Sequence, residues 1–344
     1  LLSEQRAPGC PKRMVYGPCG GVRADGECEM VPAPCVFDEL IEPQSFLDGP
    51  VPRGLNRPSE QSTPIPVVPM VLTDLSVPPA DAATLRSTVR LLAPSCDAVL
   101  VGDHQDRPDF PPSTLARLIA DAGAVPWVTL ACRDRNRITL EQELHALALD
   151  RLATVLCVTG DGRAYDVRTD VTQAFDLDGT RLAALAGSFG LPVAVAETPT
   201  ARPVALRPRR LVHKQRVGAQ VGVLNHVSAT AQLVEFLHAA HEVGLVMPVI
   251  ASVVVFTDQQ SAAALAALPG LDIAPERQEA VLTAHDPVEA GIAAAVDEAL
   301  QLLRVKGVAG VNLSGLASAR SVHAAAEIQA EVGRRIRAAQ GDPR

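Results

Sequence analysis

Two groups of residues in this chain are of types that do chemistry. The first lies in CPKRMVYGPCGGVRADGECEMVPAPC at 10–35, which holds four of the seven cysteines, Cys10, Cys19, Cys28 and Cys35. They are separated by eight, eight and six residues, unlike the paired CxxC spacing of a common zinc ribbon. Four thiolates suit tetrahedral Zn²⁺ and equally a [4Fe–4S] cluster; two disulfides or free thiols are the third reading. The segment has no helical or strand periodicity, and Gly20, Gly21 and Gly26 let its backbone fold sharply around a centre. A small segment without its own core needs such a staple, so a closed four-thiolate site would be structural.

The second group sits at the ends of short apolar runs. Thr73-Asp74 ends one run, Asp103-His104-Gln105 another, and Cys132-Arg133-Asp134-Arg135-Asn136-Arg137 a third. Thr159-Gly160-Asp161-Gly162, Glu197, Asn225-His226 and Asn312-Leu313-Ser314 follow in the same way. Carboxylates and amides brought together serve proton transfer and the orientation of a polar ligand. The arginines of CRDRNR must pair with carboxylates or hold an anion, because otherwise they repel one another. His104 and His226 read as solvated loop residues, and Cys132 and Cys157, within strands, as small core residues.

These residues require a frame that gathers strand ends. Strands are expected at 66–73, 97–103, 126–132, 153–159, 192–197, 219–225, 245–256 and 307–314, with helical segments such as 82–93, 112–123, 140–151, 228–244 and 320–339 between them. Eight strand–helix units over about 275 residues fit an α/β fold of the (β/α)8 TIM barrel type, whose chemistry lies at the C-terminal strand ends. The chain divides into a small N-terminal cysteine-rich metal-binding module at 1–50, a linker at 51–65 rich in Pro and Gly, and the barrel at 66–344. Across all 344 residues the composition is 47% hydrophobic, 20% charged and 3% aromatic, so the core is built from Ala, Val and Leu. The net charge of −8 and the lack of a basic run interleaved with aromatics argue against nucleic acid as partner. The longest apolar run, at 245–256, is too short to span a bilayer, so no membrane partner is expected. The opening residues carry no export pattern, and a cytoplasmic location is expected.

LACRDRNRITLEQELHALALDRLATVLCVTGD resembles the segment of methylenetetrahydrofolate reductases in which a CRDRNR run ends one strand and TGD ends the next. DAVLVGD, AFDLD at 174–178, KQRVGAQVGVLN and ALPGLDIAPERQEAVL are similar to other segments of that family, and the opening cysteines resemble the cysteine-rich module of some of its members. The resemblance covers nearly the whole chain.

It implies a barrel that binds FAD along the strand ends and stacks a reduced folate on it. The implied reaction reduces 5,10-methylene-tetrahydrofolate to 5-methyl-tetrahydrofolate, with NAD(P)H as co-substrate. Asp103, Arg133, Asp134, Thr159, Gly160, Asp161 and Asp178 are the implied cofactor contacts, and Arg163 and Arg168 could meet the diphosphate. Asp134 is the implied second carboxylate on the pterin, and Asn225 stands where the family has a pterin-binding Gln. At strand 1 the family's Glu is replaced by the run Thr73-Asp74-Leu75-Ser76-Val77-Pro78-Pro79, which leaves Asp74 as the shorter candidate proton donor. Ala184 and Leu185 occupy positions that carry basic groups in some flavin-binding members, and some members of the wider superfamily pass hydride directly from the nicotinamide. Two alternatives stay open: a redox-neutral folate-binding one-carbon transferase, and a non-catalytic member whose module docks a partner protein. A homo-oligomer or a partner bound through the module is compatible with either.

Overall fold

The Val-, Leu- and Ala-rich runs become strands because each is covered on both faces, which leaves little room for polar residues until the strand ends. The computed structural model describes residues 9–39, 65, 67–104, 106–162, 168, 170–266, 271, 273–315 and 317–341. The eight strands are β1 (Val71–Leu75), β2 (Ala98–Val101), β3 (Pro126–Ala131), β4 (Thr154–Val158), β5 (Val193–Glu197), β6 (Val221–Leu224), β7 (Val249–Val254) and β8 (Val308–Ser314). They pair in chain order, all parallel, and β8 closes on β1 with Leu72 opposite Asn312. The eight-stranded TIM barrel expected from the sequence is therefore the fold. The linker at 51–65 lies, except for Ile65, outside the described residues, as do Gln105 and Arg163.

Side chains alternate across each strand. Leu72, Leu100, Trp127, Leu156, Ala194, Val223 and Ile250 fill the barrel interior, while Val71, Val99, Val128, Val155, Val193, Leu224 and Val249 pack outward against the helices. This parity decides where each polar residue at a strand end goes. Asp74 continues the inward series of Leu72, Asn225 that of Val221 and Val223, and Arg133 that of Trp127, Thr129 and Ala131. Glu197, His226 and Asp134 fall on the opposite parity.

The helices are α1 (Ala82–Leu92), α2 (Pro112–Asp121), α3 (Arg137–Asp150), α4 (Gly179–Ser188), α5 (Arg207–Arg216), α6 (Thr230–Glu242), α7 (Gln259–Ala266), α8 (Pro275–Leu282), α9 (Pro287–Leu302) and α10 (Val322–Ala339). Asp81, Asn136, Asp178, Asp286 and Ser321 cap five of them with side-chain oxygens. Arg337, in the last turn of α10, is buried and donates to Asp97 at 2.6 Å, so it ties the helix to the floor of the barrel. Gly291 in α9 lies where a Cβ would be 2.3 Å from the Phe256 carbonyl oxygen. Gly291→Ala is expected to cost about 1–3 kcal/mol through overpacking, read as a lowered urea midpoint with an unchanged slope.

The cysteine segment does not stand apart from the barrel. It is a chain of turns with one bridge, between Glu27 and Pro34, and its Met14, Val15 and Tyr16 are buried. Val15 and Tyr16 join the main core between barrel and helices. Apolar anchoring on the barrel thus supplies what the sequence reading assigned to a staple alone.

Candidate active site

The barrel mouth opens at the C-terminal strand ends into a cavity of about 630 Å³, within the range of single-ligand sites. On one side stand β1 and β8. Asp74 faces the cavity from β1. Its carboxylate accepts from Asn312 Nδ2 at 3.0 Å and from the Ser314 hydroxyl. Burial raises its pKa above the usual aspartate value, against the opposing effect of those two hydrogen bonds. A carboxyl so placed holds its proton to higher pH than a solvated one, as a general acid must.

Across the mouth, Asn225 Nδ2 donates to Thr198 Oγ1 at 3.0 Å, and both residues line the cavity. Beside them Glu197, which also lines the cavity, is buried among three cations of α5. Its oxygens accept from Lys214 Nζ at 2.8 Å and Arg207 Nη1 at 3.3 Å, and Arg210 Nε stands 3.9 Å away. Burial opposes the charge of Glu197, but Lys214, Arg207 and Arg210 outweigh it and bring its pKa down to about 2. Burial, with Arg210 next in effect, also brings that of His213 down to about 4.

The CRDRNR arginines are paired. Arg133, 2% exposed, donates to Asp134 at 2.9 Å and to the His104 carbonyl at 2.9 Å, while Arg135 grips both oxygens of Asp103 at 3.0 and 3.3 Å. Arg137 pairs with Glu141 at 2.7 Å. Of the two readings for this run, carboxylate pairing is the one the structure displays. Arg168 likewise grips Asp170 at 2.9 and 3.0 Å and donates to the Asp106 carbonyl at 3.1 Å.

Of the residues named from the sequence, Asp74, Asp103, His104, Arg133, Cys157, Thr159, Gly160, Asp161, Glu197, Asn225, His226, Asn312 and Ser314 line the cavity. Asp134 and Asp178 lie outside the cavity lining. Asp134 is exposed, outside the cavity lining and turned to Arg133, because the parity of β3 sends it away from the axis. The carboxylates that line the mouth nearby are Asp103 and Asp161. Asp178 is fully buried; it caps α4 through Arg181 N–H at 2.9 Å and accepts from Val15 N–H at 3.4 Å. His226 is not a solvated loop residue: it is 3% exposed, with Nε2 2.7 Å from Glu298 Oε1. Cys132 and Cys157 are buried, and burial pushes both thiols up, as suits core residues.

Module residues complete the lining. Lys12, Cys19, Gly20 and Gly21 face the same cavity as Asp74. Lys12, 2% exposed, donates from Nζ to Glu29 at 2.5 Å and to the Gly160 carbonyl at 2.6 Å. Burial disfavours its charge, but Cys19 and Glu29 more than offset this and its pKa is raised. Gly162 N–H donates to Glu29 at 2.9 Å. The sequence signal for this contact is the apolar triplet Met14-Val15-Tyr16, which follows directly on Lys12 and Arg13.

The expected four-cysteine metal set is not assembled. Among the described residues no group of three or more His, Cys, Asp or Glu side chains is gathered closely enough to hold a metal ion. Cys10, Cys28 and Cys35 feel one another electrostatically. Cys19 lies elsewhere, its thiol donating to Glu29 at 3.3 Å and pushed up to about 12, chiefly by burial. A tetrahedral four-thiolate site does not fit this arrangement.

Three of the groups expected to meet a flavin already have partners within the chain. The Gly160 carbonyl is taken by Lys12, Asp178 by Val15 and the helix cap, and the Arg133 guanidinium by Asp134 and backbone carbonyls.

Residues 6–47 match the family model described as methylene-tetrahydrofolate reductase C terminal. The cysteine module is of that family's kind. The resemblance read from the opening cysteines is thus matched by a family model, over the module. No curated protein matches the chain. Among solved structures, an uncharacterized protein from Clostridium thermocellum that binds two copies of 5-methyl-5,6,7,8-tetrahydrofolic acid superposes with a TM-score of 0.52 at 13% identity, over 77% of this chain and 93% of that one. That likeness shows the shared fold. Oxaloacetate acetylhydrolase in complex with 3,3-difluorooxalacetate aligns with a TM-score of 0.38 at 14% identity, over 70% of this chain and 83% of that one. No helix among the described residues is long and apolar enough to cross a membrane.

Proposed function

We propose that the cavity binds a reduced folate and that the protein reduces 5,10-methylene-tetrahydrofolate to 5-methyl-tetrahydrofolate, with Asp74 as the acid and NAD(P)H as hydride donor. The observation that carries this reading is the Asp74 carboxyl. It faces the cavity from a strand end, held by Asn312 and Ser314, with its pKa raised by burial. Opening the five-membered ring requires a proton on the ring nitrogen that leaves the methylene carbon, and Asp74 supplies it. The carbon then takes a hydride from the dihydronicotinamide, which is oxidised, and Asp74 regains its proton from solvent. Asn225 and Thr198 offer a donor and acceptors to the polar edge of the pterin from across the mouth. The match of the module to a reductase family and the folate bound by the Clostridium thermocellum protein support the substrate class.

Incubation of the full chain with 5,10-methylene-tetrahydrofolate and NADH or NADPH tests it. The expected result is loss of the reduced-nicotinamide absorbance together with formation of 5-methyl-tetrahydrofolate. Tight folate binding with neither nicotinamide consumed would reject the reductase and leave the redox-neutral transferase.

A further inference from the structure

We propose that module residues 12–21 form a fixed wall of the ligand cavity along the ends of β4 and β5, in the space the family resemblance assigns to a flavin. The reduced folate then packs against the module itself, with no flavin bound. This rests on the folate reading only for the identity of the ligand.

The β4–α4 residues assigned to the flavin are engaged by the module one after another. Met14 Sδ receives the Thr159 hydroxyl at 3.8 Å, Lys12 takes the Gly160 carbonyl, and Val15 N–H meets Asp178. Glu29, which anchors Lys12, also accepts from Gly162 N–H. The contacts at Thr159, Gly160 and Asp178 fall on residues that the family resemblance assigns to the flavin.

The wall is braced from behind. Arg210 Nη1 donates to the Tyr16 carbonyl at 3.3 Å, and the Tyr16 ring lies 5.3 Å from the His213 ring. Lys12 Nζ also stands 5.8 Å from the centre of the Phe175 ring. Withdrawing the segment would strip the largely buried Glu29 carboxylate and the Gly160 carbonyl of the Lys12 ammonium, which is costly in a low-dielectric site. This is the property of a wall and not of a loose flap.

Its inner surface is shaped for close approach. A Cβ at Gly21 would lie 1.8 Å from Glu29 Oε1, and one at Gly20 would lie 2.8 Å from Thr198 Oγ1. The Gly-Gly pair lets the backbone run between the Lys12–Glu29 pair and Thr198, next to the Asn225 amide. Cys19, immediately before it, faces the cavity, whereas Cys10, Cys28 and Cys35 lie outside the cavity lining.

The test uses the full chain and two readouts. In the first, the visible spectrum of the purified protein is recorded, and FAD is then titrated in while its fluorescence is followed. The expected result is no flavin band and no quenching; stoichiometric FAD, retained or bound on titration, overturns the wall. In the second, alkylation by iodoacetamide is followed at each cysteine by peptide mass spectrometry, with and without saturating 5-methyl-tetrahydrofolate, at an alkaline pH at which Cys19, whose thiol burial pushes up, labels measurably in the ligand-free chain. Labelling of Cys19 is expected to slow by about tenfold while Cys10, Cys28 and Cys35 keep their rates, since access of the reagent to the thiol governs labelling. Unchanged labelling of Cys19 in a folate-saturated chain overturns the wall. Failure of the chain to bind folate rejects the proposed function instead, and the flavin titration still decides the wall.

Discussion

Asp74→Asn is expected to lower kcat for methylene-folate reduction by about 10²–10⁴-fold while leaving the affinity for 5-methyl-tetrahydrofolate within about twofold. The amide has the shape of the carboxyl and keeps an oxygen for Asn312 Nδ2, and the Ser314 hydroxyl can turn from donor to acceptor. What is lost is the proton. The pH dependence follows the same logic. Because burial raises the Asp74 pKa, the protonated fraction persists above the ordinary aspartate range and declines as pH rises through the raised value. The wild-type rate should therefore fall on the alkaline side of that value, and the residual rate of the variant should lack that limb. A variant with wild-type turnover, or one with the same alkaline limb, would remove Asp74 from the chemistry. The stability sign runs with the activity. The buried carboxyl is best tolerated neutral, so its contribution is fully present below the unfolded-state pKa of about 3.9 and is lost as pH rises through the folded-state value.

The barrel was legible because parallel strands buried on both faces read as apolar runs, and these recur at the spacing of βα units. Asp74 could be found for the same reason: an acid that ends such a run has nowhere to go but the mouth. Its partners were harder to assign, because Asn312 and Ser314 reach it only through closure of β8 on β1, a register set by tertiary structure. The place of Asp134 is harder to read from the motif. CRDRNR places an acid between arginines, but the parity of β3 turns Arg133 inward and Asp134 out, so a one-residue difference reverses the roles. The module was misjudged on composition. Rich in Gly, Pro and Cys, it reads as an appendage with its own staple, yet Val15 and Tyr16 bury it in the barrel's core and its cysteines divide between two environments. Glu197 was legible as an acid at a strand end but not as a partner of α5. The clue was RPRRLVHKQR at 207–216, a helix too basic to pack inward unless a carboxylate waits beneath it.

Glu197→Gln should destabilise the protein by about 3–5 kcal/mol, the usual result of breaking a buried ion pair from one side. Three cations share this one carboxylate, and all four side chains are at most 10% exposed. The neutral amide would leave Arg207, Arg210 and Lys214 to repel one another without water. The effect should be read as a lowered urea midpoint of the full chain. Adding Lys214→Met should return part of the loss, because removing one of the excess charges relieves the repulsion; a further loss in the double variant would contradict the network. The acid limb gives a second check. With the folded-state pKa at about 2 and the unfolded value at about 4.3, the carboxylate's contribution is present above about 4.3 and is lost as pH falls from there through about 2. That part of the acid sensitivity should vanish in the variant. The consequence extends to the site, because α5 holds the module through Arg210 on the Tyr16 carbonyl and His213 against the Tyr16 ring. Loosening α5 should therefore loosen the cavity wall, so that Cys19 in Glu197→Gln alkylates faster than in the wild type under conditions where both remain folded. Unchanged Cys19 labelling in a clearly destabilised variant would show that the network supports the barrel without bracing the module.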